Sequence, residues 1–258
     1  MTPVEIVAIA AAGMAAGAIN TIVGSGSLLT FPTLLAFGFS PFVANVTNTL
    51  GLVPGSFSGA IGYRRELRGQ RSRMVRLGTA GGLGGLTGAI LLTRLPESAF
   101  ERIVPLLILF AVALVAIQPR LTRKMAARRL ARSDAGHAPE REHPVALVFA
   151  VYLTGIYGGY FGAAQGVILI ALLGIFIAED LQRLNAVKNV IAVVINSVAA
   201  VLFIADGHVD WPAALVLAVG AIVGGQIGAY VGRRLSPFAL RGAIMVVGTI
   251  VAVRLLIG

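Results

Sequence analysis

The sequence predicts an all-α polytopic membrane protein built from two inverted-topology repeats, each a broken or hairpin helix pair followed by three further transmembrane helices. Three observations carry that expectation. Hydrophobic residues fill 57% of the 258 positions and charged residues 12%, with a mean hydropathy of +0.88, a composition far too apolar for a water-soluble domain. Apolar runs close to the roughly 20 residues that cross a bilayer core recur along the chain. A glycine-rich break and a Gly-Gly…Arg-Leu motif each occur twice at nearly the same spacing.

The first run, 3–22, begins with Thr2, Pro3 and Glu5, the spacing of a capping box with proline at the first helical position. No basic segment precedes it, so it reads as a retained helix and not as a signal peptide. A short run, 28–39, follows the break at Gly24 to Ser27 and suits a half-helix, a re-entrant segment or a tilted short helix. Runs at 42–63, 75–93 and 99–118 complete the first half. The order then repeats with 144–161, a short run at 166–178, and 184–204, 211–231 and 238–257. The ladders Gly51-Gly55-Gly59 and Gly220-Gly224-Gly228-Gly232 read as surfaces for close helix packing, and Pro54 predicts a kink in the first.

Residues 84–99, GGLTGAILLTRLPESA, match residues 224–239, GGQIGAYVGRRLSPFA, at an offset of 140. Gly17 and Gly24 recur as Gly155 and Gly162 at an offset of 138, and Thr47-Asn48 pairs with Lys188-Asn189. The expected organisation is a first membrane repeat over 1–118, an Arg-rich linker over 119–143 and a second repeat over 144–258.

Net charge +10 does not indicate nucleic acid, because the basic residues are grouped between apolar runs. Arg64, Arg65, Arg68, Arg71, Arg73 and Arg76 crowd the loop 64–76 against Glu66 alone. By the positive-inside rule this loop and the linker are cytoplasmic. The counterpart of the first, 205–210, is short and acidic, and Arg94 with Glu97 contrasts with Arg233 and Arg234. This reversal of charge marks the two halves as oppositely oriented.

The chain has no cysteine, His137, His143 and His208 fall in loops, and Glu101 starts a segment. No metal, cofactor or catalytic base within the membrane is therefore expected, nor an enzyme.

An irregular backbone inside lipid is tolerated where protein or water satisfies it, so the break faces a cavity. Ser25 and Ser27 are placed to cap the helix that follows, whose start falls as late as Pro32. In GGYFGAAQG the second half breaks in the same way before Val167, with Gln165 as its polar group. Two helix N-termini related by an inverted repeat make an anion site near the midplane. Its candidate substrate-binding residues are Gly24, Ser25, Gly26 and Ser27 at the first break and Gly162, Gln165 and Gly166 at the second. Asn45, Thr47 and Asn48 line one wall, Lys188 and Asn189 the other. Lys188 either counters the anion or reaches the interface and pairs with Glu179 or Asp180. Asn20 and Asn196 read as interhelical hydrogen-bonding groups.

The break followed by LLTFPTLLAFGFSPFVANVTN, with a degenerate second copy ending in NAVKN, resembles the TauE/SafE family of sulfite or organosulfonate exporters over almost the whole chain. The break here reads Gly-Ser-Gly-Ser where the family more often has a glycine triplet, and the second copy, GAAQG, departs further. The resemblance implies a multi-pass protein of the bacterial inner membrane that exports sulfite, sulfoacetate or another organosulfonate by alternating access. The residues themselves favour an anion without specifying sulfur. They leave open an importer, a carrier of another small anion such as an organic carboxylate, and, from another class, a membrane-embedded enzyme or scaffold. The small-residue faces fit a homodimer and fit equally well packing within one chain.

Overall fold

The computed structural model describes residues 1–134, 144–231 and 238–257. Ten helices follow in order: α1 Pro3–Ile22, α2 Ser27–Ala36, α3 Pro41–Gly62, α4 Arg71–Arg94, α5 Glu97–Asp134, α6 Pro144–Tyr160, α7 Gln165–Phe176, α8 Leu181–Asp206, α9 Trp211–Val231 and α10 Phe238–Ile257. The described residues form no strand. Every expected apolar run corresponds to a helix, and α1 begins with the capping box: Glu5 N–H donates to Thr2 Oγ1 at 3.3 Å and Thr2 N–H to Glu5 Oε2 at 2.9 Å.

Among the described residues, five stretches are long and apolar enough to cross a membrane: α1, α4, Glu97–Arg123 of α5, α8 and Trp211–Tyr230 of α9. The chain is a multi-pass membrane protein. The helices after the two breaks are of half length, 10 residues in α2 and 12 in α7, or about 15 and 18 Å against a core of about 30 Å. At the other extreme, α5 has 38 residues and continues through Pro119 to Asp134, so the expected linker begins inside a helix. Arg233 and Arg234 lie outside the described residues, as do His137, Glu140, Glu142 and His143.

Glycine permits the close approaches that hold the bundle together. Gly17 of α1 lies against the backbone of Ala221 and Gly225 of α9, and Gly13 against Leu217, so the numbering rises together along the two helices and they run parallel. The same parallel contact joins α4 to α6, where Gly84 meets Tyr152 and Gly88 meets Ile156. Likewise α3 lies parallel to α9, with Gly51 on Leu217 and Gly55 on Ala221, and α4 parallel to α8, with Gly81 on Ile191 and Gly85 on Ile195. Both ladders pack as expected over their described members. Small residues are what a lipid-embedded bundle needs, because side-chain burial gains little when lipid is as apolar as leucine.

The two ends of the bundle are sealed differently. At one end a chain of ring contacts runs from His208 through Phe42, Phe100 and Phe161 to Phe31. At the other, Glu179 pairs with Arg183 at 2.9 Å and Arg73 at 3.6 Å, while Arg183 Nη2 donates to the carbonyl oxygen of Arg68 at 3.2 Å.

Candidate functional site

The two breaks close by the same backbone pattern. Gly24 has φ +87° and donates its N–H to the carbonyl of Ile19 at 3.0 Å, while Gly162 has φ +75° and donates to Tyr157 at 3.0 Å. Each bond reaches five residues back in place of four, as where a helix ends on a left-handed glycine, and carbonyls of the last turn are left without helical donors. A left-handed φ is where glycine alone is unstrained.

At the end of α1 the orphaned carbonyls are satisfied from α8. Lys188 Nζ donates to the carbonyl oxygens of Asn20 at 3.0 Å and Thr21 at 3.4 Å, and Asn185 and Asn189 donate to that of Thr21 at 3.1 and 3.4 Å. Positions 185, 188 and 189 share one face of a helix. An ammonium at the negative end of α1 is also favoured by the helix dipole. Lys188 is 1% exposed and neither reaches the interface nor pairs with Glu179, whose carboxylate is held by Arg183 and Arg73.

The cap of α2 differs from the sequence expectation. Its helix starts at Ser27, leaving Pro32 inside it, and its N-cap is Gly26 with no serine hydroxyl bonded to the first turn. Asn20 caps it instead, accepting the Gly26 N–H on Oδ1 at 2.6 Å. Ser25 is 1% exposed, and its hydroxyl has no hydrogen-bond partner.

Between the breaks lies a cavity of about 20 Å³, the room of a single ordered water. From α1 it is lined by Asn20 and Thr21, from the first break by Gly24 and Ser27, and from α3 by Ser56. Gly162, Gln165 and Gly166 line it from the second break, and Lys188, Asn189, Ala192 and Asn196 from α8. Ser27 and Gln165 are the first residues of α2 and α7, so two helix N-termini open on the same space. Gln165 donates through Nε2 to Asn196 Oδ1 at 2.6 Å, while its Oε1 is buried without a donor.

Of the candidate residues, the structure brings together Gly24, Ser27, Gly162, Gln165, Gly166, Lys188 and Asn189. Ser25, Gly26, Asn45, Thr47 and Asn48 do not line the cavity. Asn45 Nδ2 donates to the carbonyl of Tyr160 at 3.0 Å, at the end of α6, Thr47 Oγ1 accepts the Asp210 N–H at 3.0 Å, and Asn48 is bonded to Thr30. Asn20 and Asn196 do make hydrogen bonds between segments, and both also face the cavity. Ser56 carried no signal in the sequence; its hydroxyl bonds back to Leu52 in α3 at 2.9 Å.

The lining holds one cation, amides, hydroxyls and helix N-termini, and no carboxylate. No group of three or more histidine, cysteine or acidic side chains among the described residues is placed to hold a metal. Such a set of donors fits an oxyanion.

The family model described as sulfite exporter TauE/SafE matches residues 9–255. Among curated proteins, the chain is 28% identical over 244 residues to "Probable membrane transporter protein YfcA" of Escherichia coli K12, covering 94% of this chain and 86% of that one. A protein of Haemophilus influenzae named "Probable membrane transporter protein" is 26% identical over 84% of this chain and 81% of its own length. "Probable membrane transporter protein YunE" of Bacillus subtilis is 22% identical, with 86% and 87% covered. No solved structure matches the chain significantly.

Proposed function

The chain belongs to the sulfite exporter TauE/SafE family, and from that premise we propose that this membrane transporter is a secondary carrier of a small sulfur-containing anion: sulfite, sulfoacetate or another organosulfonate. The family supplies the sulfur and the outward direction. The observation that carries the charge sign is Lys188, buried in a cavity between two helix N-termini with no carboxylate in its lining. A sulfonate presents three acceptor oxygens, which a lysine, the Ser27 hydroxyl and the first turns of α2 and α7 suit.

The carrier works by alternating access, the two halves rocking about this site. Its repeats are 1–118 and 144–258, and exchanging each helix for the one five places on turns the contact of α1 with α9 into that of α6 with α4. The same exchange turns α3 on α9 into α8 on α4. A cavity of about 20 Å³ admits a water and no sulfonate, so this arrangement is a closed state that must open to load. The protein sits in the bacterial inner membrane with loop 64–76 and the linker in the cytoplasm.

Efflux of labelled sulfite and of a labelled sulfonate from proteoliposomes tests the proposal. Saturable efflux that unlabelled sulfite or sulfonate inhibits is the expected result. Efflux inhibited only by carboxylates reassigns the substrate, and no movement of any of these anions overturns the carrier.

A further inference from the structure

Lys188 is a buried basic side chain with no anion beside it among the described residues. Its Nζ meets only the carbonyl oxygens of Asn20 and Thr21 among its hydrogen-bond acceptors, and the other residues lining the cavity are uncharged. Among the described residues, the elements around α8 bring no carboxylate into contact with Nζ. From α3 comes Ser56, from α7 Gln165 and from the second break Gly162, while the Tyr157 hydroxyl of α6 donates to the carbonyl of Ala163 at 2.6 Å. Tyr63, at the end of α3, packs beside Ala186. Arg73 of α4 is bonded to Gln70 and Glu179, and Glu179 to Arg183.

A charge buried in a bilayer is expensive without a counter-charge, and carbonyl dipoles at the end of α1 offset only part of that cost. Two events restore balance: an anion enters, or the proton leaves. The choice of residue bears on this. Of 21 basic side chains only Lys124 and Lys188 are lysines, and the one in the cavity is thus of the type that can release its proton, which a guanidinium cannot.

We propose that Lys188 is a proton-binding site for coupled transport, so that each anion crosses with one proton held on Nζ. The inference rests on the anion-carrier reading. In the loading step the free amine takes a proton from the aqueous side and the anion binds against the resulting ammonium; only an N–H bond forms. On the far side that bond breaks and both leave together. The cavity is neutral when empty and neutral when it holds a monovalent anion, so the membrane potential neither drives nor opposes the reorientation.

The test is proton counting during anion binding to the purified full-length protein, by calorimetry in buffers of different ionisation enthalpy. Methanesulfonate is the probe because it takes up no proton itself near neutral pH, and sulfite is run alongside. The expected result is about one proton taken up per anion at high pH, with affinity falling about tenfold per pH unit there. Lys188→Arg should bind, if it binds, with no proton uptake and no such slope. Binding by the unaltered protein without proton uptake overturns the coupling and leaves the anion carrier standing. Proton uptake that persists in Lys188→Arg overturns it by moving the site elsewhere. No binding or flux of sulfite or any sulfonate overturns the carrier reading and the coupling with it.

Discussion

The backbone N–H of Gly166 donates to the carbonyl oxygen of Gly24 at 3.1 Å, so the first turn of α7 rests directly on the break that ends α1. Two segments far apart in the chain thereby fix each other's position. A Cβ on Gly24 would stand 2.5 Å from Cα of Gly166, and one on Gly166 2.5 Å from Cα of Gly24. Neither neighbour is a flexible side chain, so the backbone itself has to move.

Gly24→Ala and Gly166→Ala are therefore expected to destabilise the protein by several kcal/mol, on the order of 3 or more, or to prevent folding. Gly38→Ala is the internal comparison. Gly38 has the same φ of +87°, and a methyl added there would meet nothing within 4 Å, so backbone strain alone applies, about 1 kcal/mol. Thermal melts of the detergent-solubilised variants decide; equal losses for Gly24 and Gly38 would show that the contact between the breaks contributes nothing.

Asn20→Ala removes the cap of α2 and should cost about 1 kcal/mol. Ser25→Ala deletes a buried hydroxyl without a partner and should change stability by less than about 0.5 kcal/mol. The opposite ranking in the same melts would return the capping role to the serine.

That contrast marks where the sequence stops being legible. The helices could be read because apolar length is dictated by the bilayer, and the breaks because glycine clusters have few other uses inside lipid. Which serine of Gly-Ser-Gly-Ser faces the cavity could not. It depends on the helix starting at Ser27, and a shift of one residue rotates a side chain by about 100°. Pro32 suggests a later start, yet it lies inside α2, where its ring removes the donor to the Leu28 carbonyl and crowds that carbonyl. Asn20 was visible as a polar residue, but its bond runs across the break to Gly26, a relationship that no helical spacing encodes. Asn45, Thr47 and Asn48 sit at the position in the first half that Lys188 and Asn189 occupy in the second. There Asn45 caps Tyr160 at the end of α6, and none of the three lines the cavity at the end of α1.

Lys188→Met keeps much of the side-chain volume and removes the ammonium. Losing a hydrogen bond to a charged group costs about 1.5–3 kcal/mol, so kcat/KM for sulfite efflux should fall roughly ten- to hundredfold. The Asn20 carbonyl loses its side-chain donor, but Asn185 and Asn189 still cover that of Thr21, so the end of α1 stays partly capped and the variant should fold. Undiminished efflux in a well-folded Lys188→Met protein would remove Lys188 from the site.

Glu179→Gln separates the polar seal from the fold. Its partners Arg73 and Arg183 are 19% and 33% exposed in their side chains, and ion pairs of that exposure contribute at most about 1 kcal/mol. The melting temperature should barely move, whereas efflux should become less sensitive to salt. A large loss of stability would instead make this cluster part of the core.

The orientation of the halves is open to direct labelling, because the chain contains no cysteine. Thr47 near the start of α3 accepts from Asp210, and Gly62 at the end of α3 lies against Ala229, so the segments 207–210 and 63–70 sit at opposite ends of that helix. Arg65 and Ala205 are exposed at those two ends. With a membrane-impermeant maleimide, Ala205→Cys should label in intact cells and Arg65→Cys only in inverted vesicles. Labelling of both from one side would contradict a bundle that crosses the membrane along α3, and with it the reversed charge pattern of the two halves. Labelling from opposite sides in the reverse sense would keep the bundle and turn the arginine-rich loop outward, against the positive-inside rule.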